Sequence, residues 1–209
     1  MSLATKYRPN KWESVVGQKS IVEILNQQLL TQNIKNTYIF SGASGRGKTT
    51  IARLFAMAIN KDRGTPIEID GASNSGVDNV RQIVESAKER SIDSEYKIYI
   101  IDECHALSNQ AWQAFLKCIE EPPKYTIFIC CTTDPHKIPD TIKNRCYHIK
   151  IPFYNEQTLR TFLKSDNEDN NLILSLAKTP GDVLSMQSQP LKNIVDLCIK
   201  IFNKINVAN

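Results

Sequence analysis

The chain has 209 residues, of which 41% are hydrophobic and 23% are charged, and its formal net charge is +4. These values are ordinary for a globular protein, so they argue against intrinsic disorder, collagen-like repeats and a chain buried in a membrane. The longest apolar runs, such as residues 125–131, are far shorter than the roughly 20 residues that cross a bilayer. No signal peptide pattern opens the chain, so we expect a cytoplasmic location.

Five short segments rich in isoleucine, tyrosine and phenylalanine predict strands at residues 38–41, 67–70, 98–102, 126–132 and 147–151. Apolar residues at helical spacing predict helices that include residues 19–32, 51–58, 78–90 and 112–119. Strands that alternate with helices indicate an α/β fold with a parallel sheet covered on both faces.

The strand pattern stops at Pro152, and the remaining apolar residues follow a helical period with interruptions at Pro180-Gly181 and at Pro190. We therefore predict an α/β domain over residues 1–152 and a short all-helical domain over residues 153–209. The second domain includes a helix around residues 194–201.

Six cysteines occur in the chain, namely Cys104, Cys118, Cys130, Cys131, Cys146 and Cys198. No two of them are spaced Cys-x-x-Cys, and the adjacent Cys130 and Cys131 point to opposite faces if their segment is a strand. We expect reduced, buried thiols. A zinc site or a disulfide framework is the alternative.

Residues 42–49 match the pattern G-x-x-x-x-G-K-[ST] between a predicted strand and a predicted helix. Backbone N–H groups of such a loop surround the phosphates of a nucleotide, while Lys48 reaches the outer phosphates and Thr49 offers a hydroxyl to Mg²⁺. The alternative is a glycine-rich turn with a surface lysine. The predicted cofactor-binding loop is Gly42, Ala43, Ser44, Gly45, Arg46, Gly47, Lys48, Thr49 and Thr50.

An apolar strand ends in the acidic pair Asp102-Glu103. At this place Asp102 can hold Mg²⁺ together with Thr49, and Glu103 can polarise the water that attacks the γ-phosphate. The alternative is a pair that caps a helix.

The strand at residues 126–132 ends in Thr132-Thr133-Asp134-Pro135. In this class of NTPase, such a strand lies between the other two and carries a polar residue near the γ-phosphate, for which Thr133 is the candidate. The alternative is that both threonines cap the next turn. His105, His136 and His148 form no metal-spaced cluster, so we predict structural or solvated roles, with His105 set apart because it follows the acidic pair.

Together these motifs resemble the ATPase subunits of sliding-clamp loaders, which are AAA+ proteins. The bacterial DNA polymerase III gamma/tau subunits are most similar, and replication factor C small subunits are wider relatives. Besides the glycine-rich loop, the resemblance rests on residues 6–9 (Lys-Tyr-Arg-Pro), 15–18 (Val-Val-Gly-Gln), 69–73 (Ile-Asp-Gly-Ala-Ser), 101–105 (Ile-Asp-Glu-Cys-His), 115–123 (Phe-Leu-Lys-Cys-Ile-Glu-Glu-Pro-Pro), 132–139 (Thr-Thr-Asp-Pro-His-Lys-Ile-Pro) and 144–146 (Asn-Arg-Cys).

The resemblance implies a five-stranded parallel sheet followed by a helical lid domain. It also implies an ATPase that uses ATP and Mg²⁺ to open a sliding clamp and load it on primed DNA. The implied partners are other clamp-loader subunits, the clamp and primer-template DNA, with no membrane. The segment that lies along adenine and ribose in the family matches Tyr7, Arg8, Pro9, Val16 and Gly17.

Two arginines also match functional positions of the family. Arg145 matches an arginine finger that enters the ATP site of a neighbouring subunit, and its alternative is an ordinary surface arginine. Arg81 matches a contact to the DNA backbone, although the nearby matching positions Asn74 and Gly76 are neutral. The resemblance therefore implies a weak, salt-sensitive grip on DNA.

The chain also departs from the family. Residues 60–66 replace a four-cysteine module, so no structural zinc is expected. Asn144 replaces the usual serine before the finger, which should leave the role of the arginine intact. Gly181 stands where the lid carries an arginine that senses the γ-phosphate, so hydrolysis is expected to be slow or to occur only within an assembly. Clamp-loader subunits assemble through a C-terminal collar, and a chain without one is expected to be monomeric in isolation.

Two other functions remain open from the sequence. One is a stator resembling the delta-prime subunit, which donates Arg145 to a neighbour and hydrolyses little ATP itself. The missing lid arginine favours the stator, whereas the intact glycine-rich loop and acidic pair favour a motor subunit. The second is another AAA+ DNA machine, such as a branch-migration helicase, which fits residues 115–123 less well.

Overall fold

The computed structural model describes residues 9–163 and 170–188. By contacts between Cα atoms, the described residues form two compact units, one of residues 9–152 and one of residues 153–163 and 170–188. The predicted site residues Tyr7 and Arg8, the cysteine Cys198 and the predicted helix at 194–201 lie outside the described residues.

Five strands form one parallel sheet, and their bounds are Thr37–Ser41 (β1), Ile67–Asp70 (β2), Lys97–Asp102 (β3), Thr126–Thr132 (β4) and Tyr147–Lys150 (β5). The strand order is β2-β3-β4-β1-β5, and each neighbouring pair runs parallel. The prediction that β4 lies between β1 and β3 is therefore confirmed. The carboxyl ends of the three central strands meet at one edge of the sheet, where the predicted site residues follow them.

Helices cover both faces of this sheet, and in the first part of the chain their bounds are Lys19–Leu30 (α1), Lys48–Ile59 (α2), Val77–Ala87 (α3), Asn109–Glu120 (α4) and Asp140–Lys143 (α5). One apolar cluster joins α1 and α2 to the face that carries Tyr38 and Phe40. A second cluster joins α3, α4 and α5 to the opposite face, which carries Ile39 and Phe128. The predicted α/β architecture is thus confirmed.

The cysteines of β4 follow the alternation of side chains along a strand. Cys131 lies in the first cluster and Cys130 in the second, because successive strand residues point to opposite faces. Within the described residues, five cysteines are free thiols, and four of these are buried.

Helix α4 shows how the sequence specifies its own boundaries. Ser108 precedes the helix, and its hydroxyl accepts a hydrogen bond from the backbone N–H of Ala111 at 3.1 Å. Trp112, Phe115 and Ile119 form the buried stripe, and the ring of Phe115 meets that of Phe128 on β4 edge to face, with 4.8 Å between centroids. Burying each such side chain contributes about 1.5–3 kcal/mol.

Helix α3 ends at Ala87, three residues earlier than predicted. Side chains from the sheet satisfy its last carbonyl groups, since the ammonium of Lys97 donates to the carbonyl of Ser86 at 2.7 Å and the hydroxyl of Thr126 donates to that of Ala87 at 2.7 Å. These two carbonyls accept hydrogen bonds from side chains of β3 and β4 instead of from a further turn of the helix.

Beyond Pro152 the described residues form three short helices, Glu156–Arg160 (α6), Asn170–Leu176 (α7) and Pro180–Gln187 (α8). Pro180 stands in the first turn of α8, where proline is well tolerated. Thr179 and Asp182 form a reciprocal capping box around it. The predicted interruption at Pro180-Gly181 is therefore the start of a helix. A small core joins the three helices through Leu159, Ile173, Leu174, Ala177 and Val183.

No helix among the residues that the structure describes is long and apolar enough to cross a membrane.

Candidate nucleotide-binding site

The glycine-rich loop connects β1 to α2 at the carboxyl edge of the sheet. Gly45 and Gly47 have φ values of 75° and 86°, a left-handed conformation that glycine adopts without steric cost. Gly47 directly precedes α2, and no side chain caps the first turn of that helix. Backbone N–H groups at such a turn, together with the positive end of the helix dipole, bind phosphate.

Lys48 is the first residue of α2, and it is buried inside the loop. Its ammonium donates a hydrogen bond to the carbonyl of Ala43 at 3.2 Å. The ammonium therefore lies against the backbone of the loop, where a phosphate oxygen can replace the carbonyl as its acceptor.

Thr49 and Asp102 meet across the gap between α2 and β3. The hydroxyl of Thr49 donates to Oδ2 of Asp102 at 2.7 Å. Mg²⁺ takes oxygen ligands at about 2.0–2.1 Å in octahedral geometry, so two neighbouring ligands of one ion lie about 3 Å apart. The two side chains supply oxygens of the right kind at nearly this separation, and they fit a shared Mg²⁺.

Glu103 adopts an unusual backbone conformation, with φ 47° and ψ 41°. Such a left-handed conformation costs a residue other than glycine about 1–3 kcal/mol, and it persists only where the surroundings impose it. Here a 3₁₀ turn, Cys104–Ala106, follows directly, and the N–H of Ala106 donates to the carbonyl of Glu103 at 2.9 Å. The sharp turn directs the Glu103 side chain away from the strand.

Two side chains contact the carboxylate of Glu103. The hydroxyl of Thr133, beyond the end of β4, donates to Oε2 at 3.0 Å. Nδ1 of His105 lies 3.2 Å from the same oxygen. The tips of β3 and β4 therefore hold one carboxylate between them.

The two threonines that end β4 have different partners. Thr132 accepts a hydrogen bond from the N–H of Asp134 at 3.0 Å and so forms the turn, whereas Thr133 bonds Glu103. Thr132 thus forms the turn, and the role predicted for Thr133 near the γ-phosphate stays a prediction.

Gly71, in the turn after β2, lets that turn approach the acidic pair closely. Its N–H donates to the carbonyl of Asp102 at 2.7 Å. A Cβ at this position would lie 2.9 Å from that oxygen and 3.0 Å from the carbonyl oxygen of Glu103. The sequence alone did not identify Gly71 or His105 as parts of the site, although both lie within motifs that carry the family resemblance.

Cys131 lies on β4 beside these groups, and its thiol is buried. Burial, and secondarily the negative charge of Asp102, raises the pKa of this thiol well above its usual value. The thiol therefore stays neutral and adds no charge near the phosphates.

The side chain of Arg46 passes beside Gly42, the first residue of the loop, toward the end of β5. It is buried, and its guanidinium donates to the carbonyl of Ile151 at 3.0 Å. Only the backbone of Arg46 is left to contribute to a phosphate site.

The side-chain amide of Gln18 donates a hydrogen bond to the carbonyl of Pro152 at 3.3 Å. The segment with Gly17, at φ 79°, and Val16, which is 40% exposed, therefore lies beside the same stretch of chain. Pro9, the first described residue, is half-buried.

The structure does not bring Arg145 and Arg81 to the other site residues. Arg145 precedes β5, at the sheet edge opposite the glycine-rich loop, and it pairs with Glu120 at 2.8 Å. Arg81 lies on α3 and pairs with Asp78 at 3.0 Å, with 67% of its side chain exposed.

Comparisons with known proteins show similarity to subunits of DNA polymerase III. Residues 65–155 match the family described as "DNA polymerase III, delta subunit". The DNA polymerase III subunit gamma of Buchnera aphidicola (from Schizaphis graminum) is 33% identical over 99% of this chain and 64% of its own length. The DNA polymerase III subunit tau of Bacillus subtilis is 43% identical over 67% of this chain and 29% of its own length. The chain thus spans under two thirds of these relatives.

Solved structures show the same fold. A DNA polymerase III gamma subunit-related protein of Thermotoga maritima has a TM-score of 0.62 at 20% identity, covering 77% of this chain and 56% of that one. RuvB T158V of the same organism has a TM-score of 0.71 at 18% identity, covering 91% and 67%. At such identities the likeness concerns the fold alone, which is that of AAA+ P-loop proteins, and it does not favour a branch-migration function.

Proposed function

Because the chain belongs to the family of the bacterial DNA polymerase III gamma and tau subunits, we propose that it binds and hydrolyses ATP as one subunit of a sliding-clamp loader. The observation that carries this proposal is the direct contact between Thr49 and Asp102 at 2.7 Å, next to the carboxylate of Glu103. A turn with a surface lysine would need no acidic partner for its threonine.

The residues around the loop divide the work of hydrolysis. The loop N–H groups and Lys48 bind and orient the phosphates of ATP, which places the γ-phosphate toward the tips of β3 and β4. Thr49 and Asp102 would hold Mg²⁺, which would supply positive charge to the phosphate oxygens. Glu103 orients the attacking water and accepts its proton, while Thr133 fixes the carboxylate of Glu103.

The position of Arg145 supports a role in a neighbouring subunit. It lies at the edge of the sheet opposite its own phosphate loop, so it acts on ATP bound elsewhere. Arginines that reach a transferred phosphoryl group in this way contribute about 10³–10⁵ in rate. Glu120 holds the guanidinium in place until that contact forms.

Sliding clamp, fellow subunits and primed DNA are the partners that this function requires. Arg81 contributes one exposed positive charge on α3, so each subunit contacts DNA phosphates weakly and the contact weakens as salt rises. Gly181 lies in the first turn of α8 and provides no charge for the γ-phosphate. We therefore propose slow ATP turnover by the chain alone and faster turnover within an assembly.

ATP turnover by the wild type and by Lys48→Ala tests the proposal, measured with and without clamp and primed DNA. Lys61→Ala, which removes an exposed lysine, is the matched control. Loss of charged hydrogen bonds to the phosphates costs about 1.5–3 kcal/mol, so Lys48→Ala should bind ATP about 10–100-fold more weakly. Equal turnover by all three proteins would show that the site is wrongly assigned. ATP binding without turnover, with loss of partner activity in Arg145→Ala, would instead indicate a stator.

A further inference from the structure

Phosphate binding does not account for the side chain of His105, and we infer that His105 is a positioning residue for the general base. Through Nδ1 it holds one oxygen of the Glu103 carboxylate, so that the other oxygen faces the attacking water. The inference rests on the proposed ATPase function and assigns a role to a residue that contacts neither phosphate nor metal.

The geometry places the imidazole between the tips of β3 and β4. His105 lies in the 3₁₀ turn that follows Glu103, and 19% of its side chain is exposed. Nδ1 lies 3.2 Å from Oε2 of Glu103 and 3.3 Å from the hydroxyl oxygen of Thr132. Nδ1 therefore contacts both the carboxylate of Glu103 and the last residue of β4.

The partners of these atoms assign the hydrogen to Nδ1. An ionised carboxylate only accepts hydrogen bonds, so an Nδ1 without hydrogen would place its lone pair against Oε2. An N–H at Nδ1 instead donates to Oε2, and a hydrogen bond to an ionised acceptor is stronger than a neutral one. The tautomer with hydrogen on Nδ1 is the one that the carboxylate selects.

The contacts of Glu103 fall on one of its two oxygens. Thr133 and His105 both reach Oε2, while among the residues that the structure describes no hydrogen bond or ion pair forms at Oε1. Two donors from different loops prevent the carboxylate from turning about its last bond. Oε2 is thus the anchored oxygen, and Oε1 is the oxygen that receives the proton from water.

Removal of the ring leaves Thr133 as the single donor, so the carboxylate samples orientations that do not face the water. Because productive alignment contributes directly to the rate, His105→Ala should lower kcat about tenfold while KM stays within about twofold. His105→Asn places an amide N–H where Nδ1 stood and should restore kcat to within about threefold. The matched control is His136→Ala, which removes an exposed histidine from the turn after β4.

A second measurement needs no hydrolysis. The chain has three histidines, so ¹⁵N NMR of the imidazoles can be assigned from single substitutions at a pH of about 8, where histidine is ordinarily neutral. His105 should carry its hydrogen on Nδ1 in the wild type. In Glu103→Ala the hydrogen should move to Nε2, because the hydroxyl of Thr132 is then the remaining partner of Nδ1.

The two measurements separate this inference from the proposed function. Unchanged kcat in His105→Ala, beside inactive Glu103→Gln, would overturn the inference and leave the ATPase assignment intact. Equal losses of kcat, nucleotide affinity and thermal stability in His105→Ala and His105→Asn would overturn it as well, since they indicate a structural role. If the wild type hydrolyses no ATP, the proposed function fails, and the tautomer in wild type and Glu103→Ala decides alone whether His105 holds Glu103.

Discussion

Gly71→Ala tests whether the backbone of the acidic pair is shaped by the turn that packs against it. The new methyl group would lie 2.9 Å from the carbonyl oxygen of Asp102, 3.0 Å from that of Glu103 and 3.2 Å from Cα of Cys104. Because all three contacts are with backbone, no side-chain rotation relieves them. Forcing extra volume into a packed region costs about 1–3 kcal/mol, and for a chain of this size each 1 kcal/mol lowers the Tm by about 2–4 °C.

The same clash should displace Glu103, the proposed general base. Since a shift of about 1 Å in a reacting group can cost about 10²-fold in rate, a displacement of a few tenths of an ångström at Glu103 should lower kcat by about tenfold or more. Differential scanning fluorimetry gives the Tm, and single-turnover ATP hydrolysis gives the rate. Gly76→Ala is the control, because its Cβ would have just Asn79 nearby, at 4.0 Å. If Gly71→Ala matches Gly76→Ala in both assays, the close approach has no consequence for the site.

Other substitutions test separate parts of the account. Glu120→Ala should remove the ion pair of Arg145 without changing the ATP affinity of its own chain, and in a mixed assembly it should lower hydrolysis by the neighbouring subunit less than Arg145→Ala does; weaker ATP binding by the Glu120→Ala chain itself, or a loss in the neighbour as large as that caused by Arg145→Ala, would refute this. Thr133→Val should lower ATP turnover and leave the Tm unchanged. Thr132→Val should lower the Tm, because the N–H of Asp134 loses its acceptor and an N–H removed from water without an acceptor costs about 1–3 kcal/mol. The opposite pattern would exchange the roles of the two threonines. The pKa of His148 lies below its ordinary 6.5 because of partial burial and, secondarily, because of the positive charges of Lys143 and Lys150. The unfolded chain therefore binds the proton more readily than the folded chain, and stability is lost as pH falls below about 6.5. His148→Gln should reduce the loss of Tm between about pH 7.5 and 5.5, and an unchanged pH dependence would contradict this.

The architecture was predictable because its signals are periodic and local. All five predicted strands match the observed bounds to within one residue at each end, and β5 ends at Lys150, one residue before its predicted end. The loop at residues 42–49 was predictable for a different reason: glycines, lysine and threonine at fixed spacing serve one chemical purpose. Helix ends were less predictable, because the end of α3 depends on Lys97 and Thr126, which are distant in sequence.

Tertiary contacts determine the parts of the site that the sequence did not predict. The residues next to Glu103 in the sequence do not indicate that its φ is positive. The turn of residues 104–106 and the close approach of Gly71 impose this conformation. The direction of the Arg46 side chain depends on Ile151, more than a hundred residues later. The sequence sets His105 apart by its place two residues after Glu103, but its contact with Thr132 depends on the order of the strands.

The Mg²⁺ dependence of ATP binding, measured by isothermal titration calorimetry on the wild type and Thr49→Val, tests the central claim most directly. The claim is that Thr49 and Asp102 share the metal that accompanies the triphosphate. It predicts that Mg²⁺ strengthens ATP binding by the wild type, and that Thr49→Val loses this gain while its affinity in the presence of a chelator is unchanged. Absence of ATP binding by the wild type, or an equal gain from Mg²⁺ in both proteins, would contradict it.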